Sequence, residues 1–122
     1  MTRTLALAAL AAALTVPAAA WADPRLEPAF GNTIVSTYRD GRVGKLWLEP
    51  NGAYRGEGRS GRVSIGTWRV DGDRLCMRQR RPFPAPFSYC TAIVPGGVGA
   101  RWSGRAPDGE PINIQLVAGR QG

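Results

Sequence analysis

The sequence of 122 residues contains no histidine and only two cysteines. Without histidine, a serine or cysteine nucleophile lacks its usual general base, and the commonest protein ligand of zinc is missing. We therefore expect no histidine-based catalytic triad, and we assign neither a metal nor a cofactor. Hydrophobic residues make up 43% of the chain and charged residues 20%, a balance typical of a folded domain and not of a disordered chain.

Residues 1–22 have the pattern of an export signal. Arg3 supplies a basic start, an uncharged Ala/Leu run follows, and Ala20 and Ala22 place small residues before a cleavage site. We expect cleavage after Ala22, which leaves residues 23–122 as a single exported β-domain without a transmembrane segment. The preference for arginine over lysine and the high Ala and Gly content indicate a GC-rich bacterial genome. The expected location is therefore the periplasm or the outside of the cell.

A helical periodicity is also missing after residue 22, whereas the whole chain has 16 glycines and 10 prolines. So many turn-forming residues exclude a mainly helical domain. Asn51-Gly52 is the clearest hairpin turn, because both central residues of a type I′ turn need positive φ. Eight short runs lie between such turns, at residues 32–38, 43–49, 53–58, 62–70, 74–79, 88–94, 99–105 and 112–117. Consecutive hairpins predict an all-β fold, a small antiparallel up-and-down barrel of about eight strands, with a β-sandwich as the alternative.

Alternation of apolar and polar residues predicts which side chains point inward. Ile112, Ile114 and Leu116 alternate with polar residues and share one face of the last run. Ile65 is out of phase with the apolar residues that follow it, and we interpret Gly66 as the position of a β-bulge. The predicted core consists of Leu46, Leu48, Trp68, Leu75, Met77, Tyr89, Ile93, Trp102, Ile114 and Leu116.

The two cysteines predict one structural disulfide. Cys76 and Cys90 both lie in the predicted exported part, and an isolated pair in an oxidising compartment is typical of a single bridge. If the two face each other on antiparallel strands, Met77 lies opposite Tyr89. This register collects apolar residues on one face and places the arginines with the cysteines on the other.

Candidate catalytic groups are few. Lys45 is the only lysine and has no Ser-x-x-Lys spacing, so no serine has a suitable base. Glu49 and Glu57 flank one hairpin and would face each other in one reading, but charge balance among the arginines explains them more simply. Asp71-Gly72-Asp73 offers too few oxygen ligands for a calcium loop and is interpreted as a turn. We predict a protein that is not an enzyme.

Basic residues dominate the surface, with a formal net charge of +7. Arg74, Arg78, Arg80 and Arg81 are predicted to lie together around the disulfide hairpin. Guanidinium groups suit phosphates and carboxylates, so these arginines are a candidate binding surface for an anionic envelope lipid, lipopolysaccharide or a protein partner. Export argues against nucleic acid as the partner. Alternatively, the dispersed arginines serve only solubility. The oligomeric state stays open.

Residues 82–87 read Pro-Phe-Pro-Ala-Pro-Phe, which we call the Pro/Phe loop. Alternate prolines stiffen the segment and lower the entropy lost on binding. Phe83 and Phe87, together with the arginines that precede them, form a candidate apolar contact for a partner groove or a membrane interface. The favoured alternative is that both rings fold back and cap one end of the barrel. Trp47, predicted to point outward, is a second candidate for an exposed aromatic contact.

Three motifs stand out: Asn51-Gly52-Ala53-Tyr54, Gly66-Thr67-Trp68 and Leu75-Cys76. With the leader, they resemble small periplasmic β-domains of proteobacteria, similar in outline to calycin and lysozyme-inhibitor-like barrels. The inhibitor families carry a loop with Ser or Lys that enters an enzyme cleft, and this sequence has no evident match for it. Our first functional hypothesis is an exported barrel that binds an anionic envelope component or a protein partner. The alternatives are a carrier of a small hydrophobic ligand, which requires a cavity, and an enzyme inhibitor.

Overall fold

The computed structural model describes residues 23–121, so the predicted leader at residues 1–22 lies outside the described residues. The described chain begins with one turn of 3-10 helix at Glu27–Ala29 and continues with eight strands. These are β1 (Thr33–Thr37), β2 (Val43–Leu48), β3 (Ala53–Glu57), β4 (Val63–Asp71), β5 (Arg74–Arg81), β6 (Tyr89–Ala92), β7 (Arg101–Arg105) and β8 (Pro111–Val117). Each strand falls on one of the eight predicted runs.

The strands form one antiparallel sheet in the order β6-β5-β4-β3-β2-β1-β8-β7. Because β1 pairs with both β2 and β8, the sheet curls round and its first strand joins its last. The described strands leave one gap, between β6 and β7, which we call the seam. The predicted up-and-down barrel is confirmed in a nearly closed form. Within residues 23–121, no helix has the length and apolarity needed to cross a membrane.

The disulfide hairpin has the predicted register. Cys76 pairs with Cys90 and Met77 with Tyr89, and the two sulfurs are bonded. Leu75 and Met77 are buried on the inner face, as the alternation predicted. β6 is only four residues long and pairs with a neighbour on one side only. The disulfide therefore anchors the weakest edge of the sheet to β5.

The predicted bulge is present between β4 and β5. Their register shifts at Ile65 and Gly66, which leaves Arg80 as an extra residue on β5. A Cβ atom at Gly66 would lie 2.0 Å from the backbone oxygen of Arg78, a distance that no side chain tolerates. Glycine is required here because the two backbones approach so closely.

One end of the barrel, which we call the closed end, is covered by the N-terminal segment. Leu26 and Ala29 are buried in the main hydrophobic cluster with Leu48 and Leu116. The ring of Phe30 lies 6.0 Å from that of Trp68, centroid to centroid. The first predicted run begins at residue 32, and the sequence pattern assigns no role to residues 23–31; the structure shows that they plug the barrel.

The predicted core is largely confirmed. Six of its ten residues are buried: Leu48, Trp68, Leu75, Met77, Ile114 and Leu116. The other four are half-buried and pack against the same clusters: Leu46, Tyr89, Ile93 and Trp102. The half-buried residues border an open interior, which is described below.

The predicted exposure of Trp47 is wrong, because its side chain is only 3% exposed. Its indole nitrogen donates to the Thr33 hydroxyl oxygen at 2.9 Å. The guanidinium groups of Arg55 and Arg120 lie over the ring at 5.9 and 5.5 Å from its centroid. Alternation correctly places Trp47 outside the barrel, but it cannot reveal that the C-terminal segment and an arginine cover it.

We expect the double substitution Cys76→Ala/Cys90→Ala to lower the free energy of unfolding by about 3 kcal/mol, because it frees a loop of about 15 residues in the unfolded chain. Urea unfolding of the oxidised protein and the double variant measures the difference. Hydrogen exchange should increase most in β6. Equal unfolding midpoints for the two proteins would contradict the role given to the bridge.

Gly66→Ala should destabilise the fold by about 1–3 kcal/mol, because the new methyl group overlaps the facing backbone. Gly56→Ala is the matched control: its Cβ would have no neighbour closer than 3.7 Å, and its unfolding midpoint should change little. Equal destabilisation by the two substitutions would rule out the close approach as the cause.

Candidate ligand cavity in the barrel

The inward side chains change in size along the barrel. Near the closed end they are large and include Leu48, Trp68 and Leu75. Towards the other end, which we call the mouth, four consecutive strands contribute small inward residues: Ser36, Gly44, Gly56 and Ser64. The interior of an eight-stranded barrel is just wide enough for side chains to fill, so residues this small leave space.

The space is a cavity of about 660 Å³. This volume lies within the range of about 300–1,000 Å³ that is usual for small-molecule sites. Its wall is mainly apolar and includes Ile34, Leu46, Met77, Trp102, Ile112 and Ile114. Most of its polar side chains lie nearer the mouth, among them Ser36, Ser64 and Gln79, whereas Arg25 and Thr91 border the deeper half. One end of the cavity therefore suits a hydrocarbon and the other a hydrogen-bonding group.

Two glycines in the cavity wall are not required by the backbone conformation or by close packing. A Cβ atom at Gly56 would meet its nearest heavy atoms at 3.7–3.9 Å, and one at Gly44 would meet its nearest at 3.4 Å. Neither glycine has the positive φ that would require it. In contrast to Gly66, these positions have room for a side chain, and the effect of glycine there is to widen the interior.

The Pro/Phe loop stands at the mouth. Phe83 is 57% and Phe87 80% exposed, and both border the cavity opening. The favoured prediction that they cap the barrel is therefore wrong; they form a rim. The Arg78 guanidinium Nε donates to the Ala85 carbonyl at 3.1 Å, and the Gln79 amide donates to the Phe83 carbonyl at 3.0 Å. These bonds hold the loop in one shape.

Arg59 lies in the β3–β4 loop and connects it to the β1–β2 and β7–β8 loops at the mouth. Its guanidinium makes two hydrogen bonds of 2.9 Å to the Glu110 carboxylate, which raise the pKa of Arg59. Its Nη1 lies 3.7 Å from Asp40 Oδ2, and its Nη2 lies 3.9 Å from Asp108 Oδ2. Its Cζ lies 4.2 Å from the centroid of the Tyr38 ring. These loops are distant in sequence, so no local pattern could have identified the contact. Arg59 fixes the width of this side of the mouth.

The four arginines predicted to cluster are divided by the structure. Arg74 begins β5 at the closed end, whereas Arg80 and Arg81 lie at its other end, about 23 Å away along an extended strand. Arg78 is engaged with the Pro/Phe loop. Arg80 and Arg81 adjoin this loop, and their role in binding an anionic partner stays a prediction.

The two glutamates that flank the β2–β3 hairpin do not face each other. Glu57 lies opposite Lys45 towards the mouth, and Glu49 forms a 2.9 Å ion pair with Arg120 at the closed end. The interpretation that these two carboxylates face each other is therefore wrong.

A tyrosine bridges the seam beside the cavity. The Tyr89 hydroxyl on β6 donates a hydrogen bond to the backbone carbonyl of Arg105 on β7. Burial raises the pKa of Tyr89, so the neutral phenol needed for this bond is favoured. Tyr89 therefore lines the cavity and also holds its open side together.

Comparison with protein-family models, curated proteins and solved structures finds no match for this chain. The resemblance to calycin and lysozyme-inhibitor-like barrels stays a prediction. The functional interpretation therefore depends on the geometry of the cavity and of its mouth.

Because the folded state raises the pKa of Tyr89, its contribution to stability is present below about pH 10 and is lost as the pH rises through the folded value. We expect Tyr89→Phe to be about 1 kcal/mol less stable than the wild type at pH 8, since the seam bond is missing. The variant should also lose less stability between pH 9 and 11, approximately as set by the reference tyrosine pKa. Urea unfolding across this range tests both points, and identical pH slopes would contradict them.

Proposed function

We propose that this protein is a non-enzymatic binding protein that holds a small apolar molecule inside its barrel. The observation that carries the proposal is the cavity of about 660 Å³ with an apolar wall. It extends from Leu26 and Ala29, which plug the closed end, to Phe83 and Phe87 at the mouth. A cavity of this kind is the usual setting for a small ligand.

The polarity of the wall favours a ligand with one polar end. Leu48, Leu75 and Leu116 surround the deep part of the cavity and offer only contacts between apolar groups. The hydroxyl of Ser36 and the amide of Gln79 lie towards the mouth and can exchange hydrogen bonds with a hydroxyl or carbonyl group. We therefore expect the hydrocarbon part to enter first.

Burial of the hydrocarbon sets the expected affinity. Each methylene transferred from water contributes about 0.8 kcal/mol, which corresponds to about a fourfold gain in affinity. The gain should stop when the chain reaches the plug formed by Leu26 and Ala29. Part of the total offsets the entropy lost on binding, so short chains should bind weakly.

The proposed location is the periplasm or the outside of the cell. The leader predicted at residues 1–22 supports it, and a disulfide between Cys76 and Cys90 fits an oxidising compartment. The predicted anionic partner concerns the outer surface at the mouth, which is separate from the cavity. The inhibitor alternative stays a prediction that no described feature favours over ligand binding.

Titration with N-phenyl-1-naphthylamine, a neutral dye that becomes fluorescent in apolar surroundings, should show saturable binding to one site. Displacement by 1-alkanols should strengthen about fourfold per methylene until a chain-length limit is reached. Gly56→Leu, which projects a side chain into the cavity, should weaken binding at least tenfold, because it removes space for several methylenes.

Thr67→Leu is the matched control, since it adds the same side chain to an exposed outer position and should leave the titration unchanged. Ser36→Leu provides a second obstruction from another strand, and circular dichroism establishes that each variant is folded. Absence of saturable binding in the wild type would overturn the proposal. An equal loss with Thr67→Leu would do the same.

A further inference from the structure

Exposed hydrophobic side chains are concentrated at the mouth. Single exposed apolar residues are ordinary, so their distribution matters more than their presence. Among residues 23–121, four of the five large exposed hydrophobic residues lie at the mouth end, and only Val98 lies at the closed end. The four are Val43, Ile65, Phe83 and Phe87. The molecule therefore presents one apolar end to its surroundings.

The two phenylalanines project from a rigid support. The Pro/Phe loop is held by hydrogen bonds from Arg78 and Gln79, and its alternate prolines restrict the backbone further. Rings fixed in an exposed position lose little conformational entropy when they enter an apolar medium. Phe87 is the more prominent of the two, with 80% of its surface exposed.

The charges next to these rings are positive. Arg80 and Arg81 directly precede the loop, and Arg81 is the cross-strand neighbour of the exposed Ile65. Within the described part of the chain, neither arginine lies within 4.0 Å of a carboxylate. Of the carboxylates at the mouth, Glu57 lies 4.0 Å from Arg55, and Asp40, Asp108 and Glu110 surround Arg59. The apolar tip therefore has an uncompensated cationic border.

From this juxtaposition we propose that the mouth docks onto a phospholipid bilayer that contains anionic headgroups. Phe83 and Phe87 enter the interface between headgroups and acyl chains, and Arg80 and Arg81 contact lipid phosphates. Aromatic side chains with a basic border are the combination that binds such an interface. The closed end lacks this combination: between residues 23 and 121 its one large exposed hydrophobic residue is Val98, and it carries the acidic residues Asp71 and Asp73 beside Arg74.

Docking in this orientation faces the cavity opening towards the lipid. A molecule with a hydrocarbon chain would then pass between bilayer and barrel without crossing water. This consequence rests on the proposed function, whereas docking itself does not.

Co-sedimentation with phosphatidylcholine vesicles, with and without phosphatidylglycerol, tests the proposal. The wild-type protein should bind the anionic vesicles more tightly, and more so at about 0.02 M than at about 0.15 M salt, where charges are screened. Arg80→Gln/Arg81→Gln should weaken binding to anionic vesicles at least tenfold and remove most of the salt dependence. Phe83→Ser/Phe87→Ser should weaken binding at both salt concentrations.

The matched controls make the same changes at the closed end. Arg74→Gln/Arg101→Gln removes the same charge, and Val98→Ser removes an exposed apolar residue; both should retain vesicle binding. No binding by the wild type at either salt concentration overturns the proposal. Equal losses in the closed-end controls also overturn it, because they would indicate attraction without orientation.

Two further measurements separate docking from cavity binding. Gly56→Leu should still bind vesicles, because its change lies inside the barrel. Arg80→Gln/Arg81→Gln should give an unchanged dye titration, since neither arginine lines the cavity. Loss of vesicle binding in Gly56→Leu would contradict docking by the outer rim and would indicate that the bilayer is recognised only through the cavity.

Discussion

The size of the inward side chains decides whether an eight-stranded barrel has a solid core or a cavity, because its interior is only just wide enough to be filled by side chains. In this protein the two outcomes occur at opposite ends. Leu48, Trp68 and Leu75 pack with the N-terminal plug at the closed end, and Leu48 and Leu75 also border the deepest part of the cavity. Gly44 and Gly56 help to leave the mouth unfilled.

A barrel that is only half filled by side chains needs other interactions to keep its wall in shape, and the structure supplies three. The Cys76–Cys90 bridge anchors the short strand β6, and the Tyr89 hydroxyl crosses the seam to β7. Arg59 joins the loops on the remaining side. None of the three fills the interior: Tyr89 forms part of the cavity wall, and the Arg59 contacts lie among the loops at the mouth.

The sequence predicts most of the fold because side chains along a strand point alternately to the two faces of the sheet, with a period of two residues. That period identifies the inward residues and the bulge near Gly66, and the cysteine pair then gives the register of β5 and β6. The same period places Trp47 outside, but burial also depends on segments that return from far away in the chain, as Arg120 does here. Contacts of that kind leave no local pattern.

The sequence does indicate the cavity, but through small residues at inward positions. Gly44 is in phase with the predicted core residues Leu46 and Leu48, and Gly56 is in phase with the buried Tyr54. A core is usually predicted from large residues, so small residues in the same phase are easily overlooked. The position of Phe83 and Phe87 had no such signal, because the direction of a loop depends on its anchors. Arg78 and Gln79 provide those anchors through hydrogen bonds to loop carbonyls.

The most direct test of an open, apolar interior is nuclear magnetic resonance of the protein saturated with 1-decanol. Nuclear Overhauser contacts report which protein protons lie next to the alcohol. The account predicts contacts from decanol methylenes to the methyl groups of Ile34, Met77 and Ile112 on the cavity wall. Contacts only to exposed residues such as Val98, or none at all, would show that the barrel is filled in solution and would contradict the account.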